Sequence, residues 1–423
     1  MRILSIIASL VLALLGGCAG TAGSNDGQWV SAWAASHNAR AVTPAMSGKT
    51  VRMVLAPTLS GNSLRVKIEN TMGEAPVVFS AAFIGVAGEA AALRQGSNTR
   101  LSFNGRPGVT LAPGQGVYSD PVGFDVKASD KLALSLDVES AADISVHHVG
   151  LRTNWMASGA RASDPSGAGF EPLPEVAPAN AGNWPFYWVA ALDVRSATAD
   201  GAIVLFADSI TDGRCSTRDD KGVVQPNLYQ RWGDVMAARL AADPRRAGRK
   251  GVVNAGIAGN RVLNRGNGPS ALERVERDVL DRAGLSHVVF FEATNDIAGD
   301  FSAAQIAAGT KQIIDKVHAA AKKIIGVTVI PRGRPAPETG WTSANERERL
   351  AVNRWIRREA GFDGVIDFDA LMKDGPVYTL ADGGTAPGIP PAWNCDRTHP
   401  NAAGYKAMGE FVDLTLFDTA RLR

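Results

Sequence analysis

The apolar residues of this 423-residue chain change their spacing near residue 200, and that change limits what each half can fold into. Before it, apolar and polar residues alternate in short runs. Leu64 to Glu69 alternates strictly, as does Lys131 to Val138, and Val77 to Val86 and Thr99 to Phe103 read as further strands. A period of two puts one face of a strand on a core and the other in water. Turn residues separate the runs, as at Ser60-Gly61-Asn62 and Asn104-Gly105-Arg106-Pro107. Such strands, with no convincing helix between them, predict a β-sandwich or jelly roll. Ser158 to Asn183 reads as a long loop rich in Gly, Pro, Ala and Ser, and Trp184 to Val194 returns as a strand.

From Gly201 the runs become continuously apolar, beginning with Ala202-Ile203-Val204-Leu205-Phe206. A strand apolar on both sides belongs in a parallel sheet with both faces covered. Further strands are expected at Gly251–Asn254, His287–Phe291, Ile324–Ile330 and Gly364–Phe368. Helical spacing falls between them, at Asn227–Leu240, Ala271–Ala283, Ala303–Lys323 and Ala344–Ala360, with a last helix at Asn401–Leu416. The alternation predicts an α/β fold, a doubly wound parallel sheet, preceded by the β-sandwich. Ligands in such sheets lie at the carboxyl ends of the strands, so the chemistry is expected there.

The chain opens with a charge-free run, Ile3 to Leu15, too short to span a bilayer and right for the apolar part of a signal peptide. It ends in Leu15-Gly16-Gly17-Cys18, which resembles the bacterial lipoprotein processing box. That resemblance implies lipidation at Cys18, an N-terminal lipid anchor in the membrane and, with Ala19 following, sorting to the outer membrane. The alternative is an ordinary secretory signal cleaved near Ala19-Gly20. Either way the protein is expected to be exported, and Cys215 and Cys395 then sit in an oxidising compartment. The expected organisation is a signal over 1–17, a tether over 18–28, a β-domain over 29–198 and the α/β half over 199–423. Lys and Arg total 44 against 42 for Asp and Glu, a net charge of +2 that does not suggest nucleic-acid binding. No metal-site, phosphate-loop or dinucleotide motif is present, so no metal or cofactor is expected. His147-His148 at the end of a strand reads as surface histidine. Trp29 to Ala34 reads as core packing or domain docking, with a sugar site as the alternative use of its two tryptophans.

Four segments stand at strand ends or before the last helix. Ala207-Asp208-Ser209-Ile210-Thr211-Asp212-Gly213 places a hydroxyl after the first strand of the α/β half. Asn254 to Asn260 follows the second with glycines that allow close backbone approach. Glu292-Ala293-Thr294-Asn295-Asp296 follows the third with a side-chain amide. Asp396-Arg397-Thr398-His399-Pro400 precedes the last helix, with Asp and His three apart, close enough for the carboxylate to accept a ring N–H.

Taken together, and in this order, these blocks resemble the SGNH hydrolases, the GDSL family of esterases and lipases, over about Gly201 to Phe411. The resemblance implies Ser209 as nucleophile, His399 as general base and then acid, and Asp396 as the residue that orients it. It implies an oxyanion hole made by the N–H groups of Ser209 and Gly259 and the amide of Asn295. Two departures are visible: Ala207 and Ala293 stand where the family usually has glycine, and each methyl could narrow the acyl pocket or shift a turn. The family's fold brings the Cys215 and Cys395 loops to one rim and implies a disulfide between them. Trp341 and Trp393, in loops of this half, are candidates for substrate contact. An accessory β-domain on an exported family member is similar to several carbohydrate acetylesterases, which points to acetyl groups on a glycan. A general small-ester esterase, arylesterase or lipase is the alternative activity, and a non-catalytic glycan-binding lipoprotein the alternative class.

Overall fold

The structure, a computed structural model, describes residues 27–176 and 182–419. The expected signal, Cys18 and the tether as far as residue 26 lie outside the described residues, and Gln28, the last residue expected in the tether, already belongs to a strand. No helix among the described residues is long and apolar enough to cross a membrane.

Residues from Gln28 to Ser196 form antiparallel sheets. In one, Gln28–Ala34, Val189–Ser196, Gly61–Glu69 and Gly116–Tyr118 lie side by side. In another, Trp155–Ser158, Lys49–Leu55, Leu132–Ala141 and Val77–Val86 are neighbours in that order. The alternation read from the sequence is the reason they stack. Leu64, Val66 and Ile68 of the first sheet and Val51, Met53, Leu132, Leu134 and Leu136 of the second share one buried core. Each such side chain contributes about 1.5–3 kcal/mol when fully buried. A one-residue slip would turn that whole set to water, so the register, with Leu134 opposite Met53, is firmly held. A third, small sheet places Ile144–His147 between Phe186–Tyr187 and Ala39–Ala41.

The α/β half is a five-stranded parallel sheet: β1 (Gly201–Ala207), β2 (Lys250–Gly256), β3 (Leu285–Phe291), β4 (Lys323–Val327) and β5 (Gly364–Ile366). The strand order is β2-β1-β3-β4-β5, the flavodoxin-like order, whose reversal at β1/β3 opens a crevice at the carboxyl ends. Its helices are α1 (Ser209–Asp212), α2 (Trp232–Ala242), α3 (Ala271–Val275), α4 (Thr294–Ile297), α5 (Ala303–Ala319), α6 (Ser343–Arg358), α7 (Phe368–Leu371) and α8 (Ala402–Phe411). Val204 and Phe206 of β1 face one core with Ile313 and Val317 of α5 and Val352 of α6. Ile203 and Leu205 face the opposite core with Trp232 and Met236 of α2 and Met408 of α8. Both faces are thus covered, as the unbroken apolar runs required.

Several elements differ in extent from the sequence reading. The helix expected from Asn227 begins at Trp232, because Asn227 and Tyr229 take positive φ and the Asp234 carboxylate accepts the Arg231 N–H at 3.0 Å. The helix expected over Ala271–Ala283 becomes a π-helical turn at Glu276–Leu280. The last helix stops at Phe411 and resumes as a 3-10 turn, Leu414–Phe417.

The segment containing Trp29 and Trp33 joins the halves. Ser31 N–H donates to Ala283 O, and Thr58 Oγ1 bonds both the N–H and the carbonyl of Val252 in β2. The strands approach so closely that a Cβ on Gly251 would lie 2.2 Å from Ser31 O. Trp33 packs edge-on to Phe186 and the Arg65 guanidinium lies over Trp29.

Candidate active site

Ser209 opens α1, directly after β1. Asp208 caps that short helix by accepting the Ile210 N–H at 2.9 Å, and Gly213, at φ 103°, closes it by donating to Ser209 O. Only glycine takes that φ without cost, and a Cβ there would meet Arg231 at 2.7 Å. The turn holds the serine at the carboxyl end of the central strand, 6% exposed.

His399 comes to it from the segment before α8. Its Nε2 lies 2.8 Å from Ser209 Oγ, and its Nδ1 lies 2.9 Å from Asp396 Oδ2 and 3.0 Å from Oδ1. A carboxylate only accepts, which assigns the proton to Nδ1 and leaves Nε2 to accept the serine hydroxyl. Asp396 Oδ1 also accepts the backbone N–H groups of His399 and Thr398. Burial by itself would raise the Asp396 carboxyl. The His399 hydrogen bond and charge, with those N–H groups, overrule it and hold Asp396 well below the usual carboxylate range. Cys215 and Cys395 are joined in a disulfide that ties the loop after the serine to the residue before Asp396. The one cluster of metal-ligating side chains among the described residues is Cys215, Cys395 and Asp396, and its sulfurs are bonded to each other.

Three donors converge from the ends of β1, β2 and β3. Among the described residues, the backbone N–H groups of Ser209 and Gly259 have no intramolecular acceptor. Asn295 Nδ2 gives one hydrogen to Asn260 O at 2.9 Å and keeps the other. Gly259 sits at φ 75°, where a Cβ would be 2.4 Å from Asn267 Nδ2. The loops carrying these donors are fixed to each other, since Asp296 accepts from the N–H groups of Val262 and Leu263. Asp212 Oδ2 accepts from Ala258 N–H at 2.8 Å, one residue before Gly259.

Beneath the serine lies a layer of buried ionisable groups that local spacing did not disclose. Arg274 donates to the carbonyls of Ala207 and Ala255, the ends of β1 and β2, and to Asn260 Oδ1. It also pairs with Asp278 at 3.2 Å and Glu292 at 3.3 Å. Burial raises the Asp208 carboxyl to about 7, helped by Asp296 and Asp212 and opposed by the Ile210 N–H and Arg332. Burial and the neighbouring Asp208 push Glu292 well above its usual range, against the pull of Arg274. Arg231 binds Asp212 O together with the carbonyls of Val149 and Gly150.

Two expectations are corrected. Trp341 is a core residue, 1% exposed, whose indole N–H donates to Glu346 Oε2, so it does not face substrate. Its flanking loop suggested exposure, but α6 begins two residues later and brings an acceptor to the ring. His147 is not a surface histidine: it is 5% exposed and its Nε2 lies 3.0 Å from Asp212 Oδ1. The methyls of Ala207 and Ala293 are buried in the two cores flanking the sheet. Trp393 is half-buried on the turn before Asn394, against the core beneath α8, with its Cβ close to Gly404.

Part of the chain matches a family model, and several solved structures are similar to it. Residues 208–407 match the model of the GDSL-like lipase/acylhydrolase family. No curated protein sequence matches the chain. Among solved structures, the chain is similar to a putative acylhydrolase from Bacteroides fragilis, at 18% identity over 51% of this chain and 86% of that one, TM-score 0.36. It is similar to a carbohydrate acetylesterase from Sinorhizobium meliloti, at 17% identity over 49% and 94%, TM-score 0.36. It is also similar to an aryl esterase from M. smegmatis, at 18% identity over 49% and 94%, TM-score 0.38. Residues 208–407 are therefore a GDSL-like lipase/acylhydrolase domain, which supports carboxylic ester hydrolysis, and an antiparallel β-rich region lies ahead of it.

Proposed function

We propose that the protein is an exported serine esterase that removes short acyl groups, acetyl from a polysaccharide foremost, through a Ser209-His399-Asp396 acyl-enzyme mechanism. The observation that carries the reading is the continuous line of hydrogen bonds from Ser209 Oγ through the imidazole to Asp396. His399 Nε2 takes the hydroxyl proton as Oγ bonds to the ester carbon, and the carbonyl electron pair moves to oxygen. Ser209 N–H, Gly259 N–H and the free Asn295 amide hydrogen receive that oxyanion. The C–O bond to the alcohol then breaks, and the proton on Nε2 goes to the leaving oxygen. A water molecule repeats the sequence on the acyl-enzyme and releases the acid. Asp396, held below the usual carboxylate range, stays ionised and stabilises the imidazolium.

The short-acyl preference rests on the β-rich region ahead of the esterase domain, an arrangement similar to that of several carbohydrate acetylesterases. Export rests on the apolar run Ile3–Leu15, and an outer-membrane lipid anchor on the Leu15-Gly16-Gly17-Cys18 box. Acetate release from acetylated xylan, measured beside p-nitrophenyl esters of increasing length, tests the acyl preference. Ser209→Ala should fold normally and lose at least about a thousandfold in kcat. Ester hydrolysis retained in that variant, with no serine-directed phosphonate label on the wild type, would overturn the mechanism.

A further inference from the structure

Two arginines stand beside the catalytic histidine without a counter-ion. Arg332 Nη1 donates to the hydroxyl and carbonyl of Thr294, the residue before Asn295, and its Nη2 to Thr398 Oγ1, the residue before His399. Arg334 Nη2 donates to the same Thr398 Oγ1 at 3.2 Å. Among the described residues, no carboxylate oxygen lies within 4.0 Å of either guanidinium. The Nε–H of each is buried and has no acceptor. Thr398 Oγ1 accepts from both arginines and donates to no described group, so its proton is available to a third party.

Holding two cations this close in a buried place is unfavourable unless something offsets it. Burial and the neighbouring Arg334 together lower the Arg332 guanidinium to about 10. Nearby anions offset little. Asp396 is committed to His399, Asp208 is pushed up by burial to about 7, and Glu338 pairs with Arg397. The cluster is nonetheless well built. The buried Trp341 ring lies 5.0 Å under the Arg332 guanidinium and fixes its plane, which gives that core tryptophan a place in the site.

We propose that Arg332, Arg334 and the Thr398 hydroxyl form an anion subsite, and that the preferred ester carries a carboxylate on its alcohol part, as an acetylated uronic-acid residue does. The assignment to the alcohol part rests on the function proposed above, since His399 returns its proton to the leaving alcohol and Thr398 is the residue next to it. Guanidinium groups match carboxylates in charge and in fork geometry, which makes carboxylate the favoured anion.

Two measurements test the subsite separately from the esterase chemistry. In the first, kcat/KM is compared for 4-acetoxybenzoate and its neutral isostere 4-acetoxybenzamide, in the wild type and in Arg334→Gln, a half-buried position outside the core. The expected result is a preference for the anionic ester that falls about tenfold in Arg334→Gln and is partly restored in Arg334→Lys. In the second, digalacturonate and xylobiose are titrated into Ser209→Ala, with and without Arg334→Gln, so that binding is read without turnover. Digalacturonate should bind the single variant at least about tenfold more tightly than the double one, and xylobiose should bind both alike. Equal preference for the two acetoxy esters, together with equal digalacturonate binding, overturns the subsite while leaving the esterase intact. Digalacturonate binding that depends on Arg334 in a protein that cleaves no ester keeps the subsite and overturns the esterase reading. A preference for p-nitrophenyl hemisuccinate over p-nitrophenyl butyrate, without one for 4-acetoxybenzoate, would put the charge on the acyl side and overturn the assignment to the alcohol.

Discussion

His147 belongs to the β-rich region, yet its closest charged partner, Asp212, is in the turn that presents Ser209. Its Nδ1 lies 2.8 Å from Ser36 O and its Nε2 3.0 Å from Asp212 Oδ1. Both ring nitrogens therefore face acceptors, an arrangement satisfied only by the imidazolium. Burial works against that charge, but Asp212 and the Ser36 carbonyl outweigh it, and Arg231 opposes them, so that the net shift is upward. His147→Leu would fill the space and leave Asp212 buried with the Ala258 N–H as its remaining acceptor contact. Removing one partner of a buried ion pair costs about 3–5 kcal/mol. Burial of the leucine returns about 1.5–3 kcal/mol of that, so the expected net loss is about 2 kcal/mol. Calorimetry should show the melting temperature of the coupled unit lowered by about 2–3 °C. The pH dependence has a definite sign. A raised folded-state pKa gives stability that is fully present below the unfolded value of about 6.5 and fades as pH rises through the folded value. The gap between wild type and variant should thus be wide near about pH 6 and narrow toward alkaline pH. A variant within about 1 kcal/mol of wild type at every pH in that range would refute the imidazolium assignment and the clamp.

Ala293 sits at φ 92° as the residue before α4, a region that costs a residue with a Cβ about 1–2 kcal/mol. Its methyl is small and the backbone bond it flanks is kept, so Ala293→Gly should be neutral or stabilising by up to about 1 kcal/mol, measured by urea unfolding. A loss of more than about 1 kcal/mol would mean that the buried methyl outweighs the strain. Asn295→Ala should lower kcat by about a hundred- to a thousandfold, with KM for a p-nitrophenyl ester much less affected, because the amide acts on the oxyanion and not on bound ester. An equal change in KM alone would assign Asn295 to ground-state binding.

The candidate catalytic residues were legible because sequence places each immediately beside an element that patterning also reveals. Ser209 follows an unbroken apolar strand, Asn295 follows another, and Asp396 and His399 lie three apart before a helix marked by Pro400. The parallel sheet was legible for the same reason, since strands buried on both faces cannot alternate. What escaped were side chains whose partners are backbone carbonyls or distant charges. Arg274 looks like one more cation on a charged helix, and only the fold shows it joining the ends of β1 and β2. His147 and Asp212 are far apart in sequence and belong to regions of different period. Trp341 was misread because Gly340 and the prolines before it suggest an exposed loop, whereas Glu346 in the first turn of α6 gives its N–H a buried acceptor. In each case the determining contact is non-local, and neither hydrophobic period nor turn chemistry carries information about it.

These non-local contacts bear on what the β-rich region is for. A module tied on by a flexible linker would meet its neighbour through a small, wet, exchangeable surface. Here the contact includes a buried His147–Asp212 pair, the Arg231 guanidinium held between Asp212 O and the carbonyls of Val149 and Gly150, and main-chain bonds from Ser31 to Ala283 and from Thr58 to Val252. Apart from the Ser31–Ala283 bond, each of these reaches β2 or α1, the elements that precede the Gly259 loop and carry Ser209. Asp212 is the hinge of the arrangement: one carboxylate oxygen meets the β-rich region, the other fixes the N–H next to Gly259. Separating the two halves would expose a carboxylate and two cations that are now buried and paired, and would free the oxyanion loop at the same moment. The β-rich region is thus part of the scaffold that holds the Ser209 turn in place.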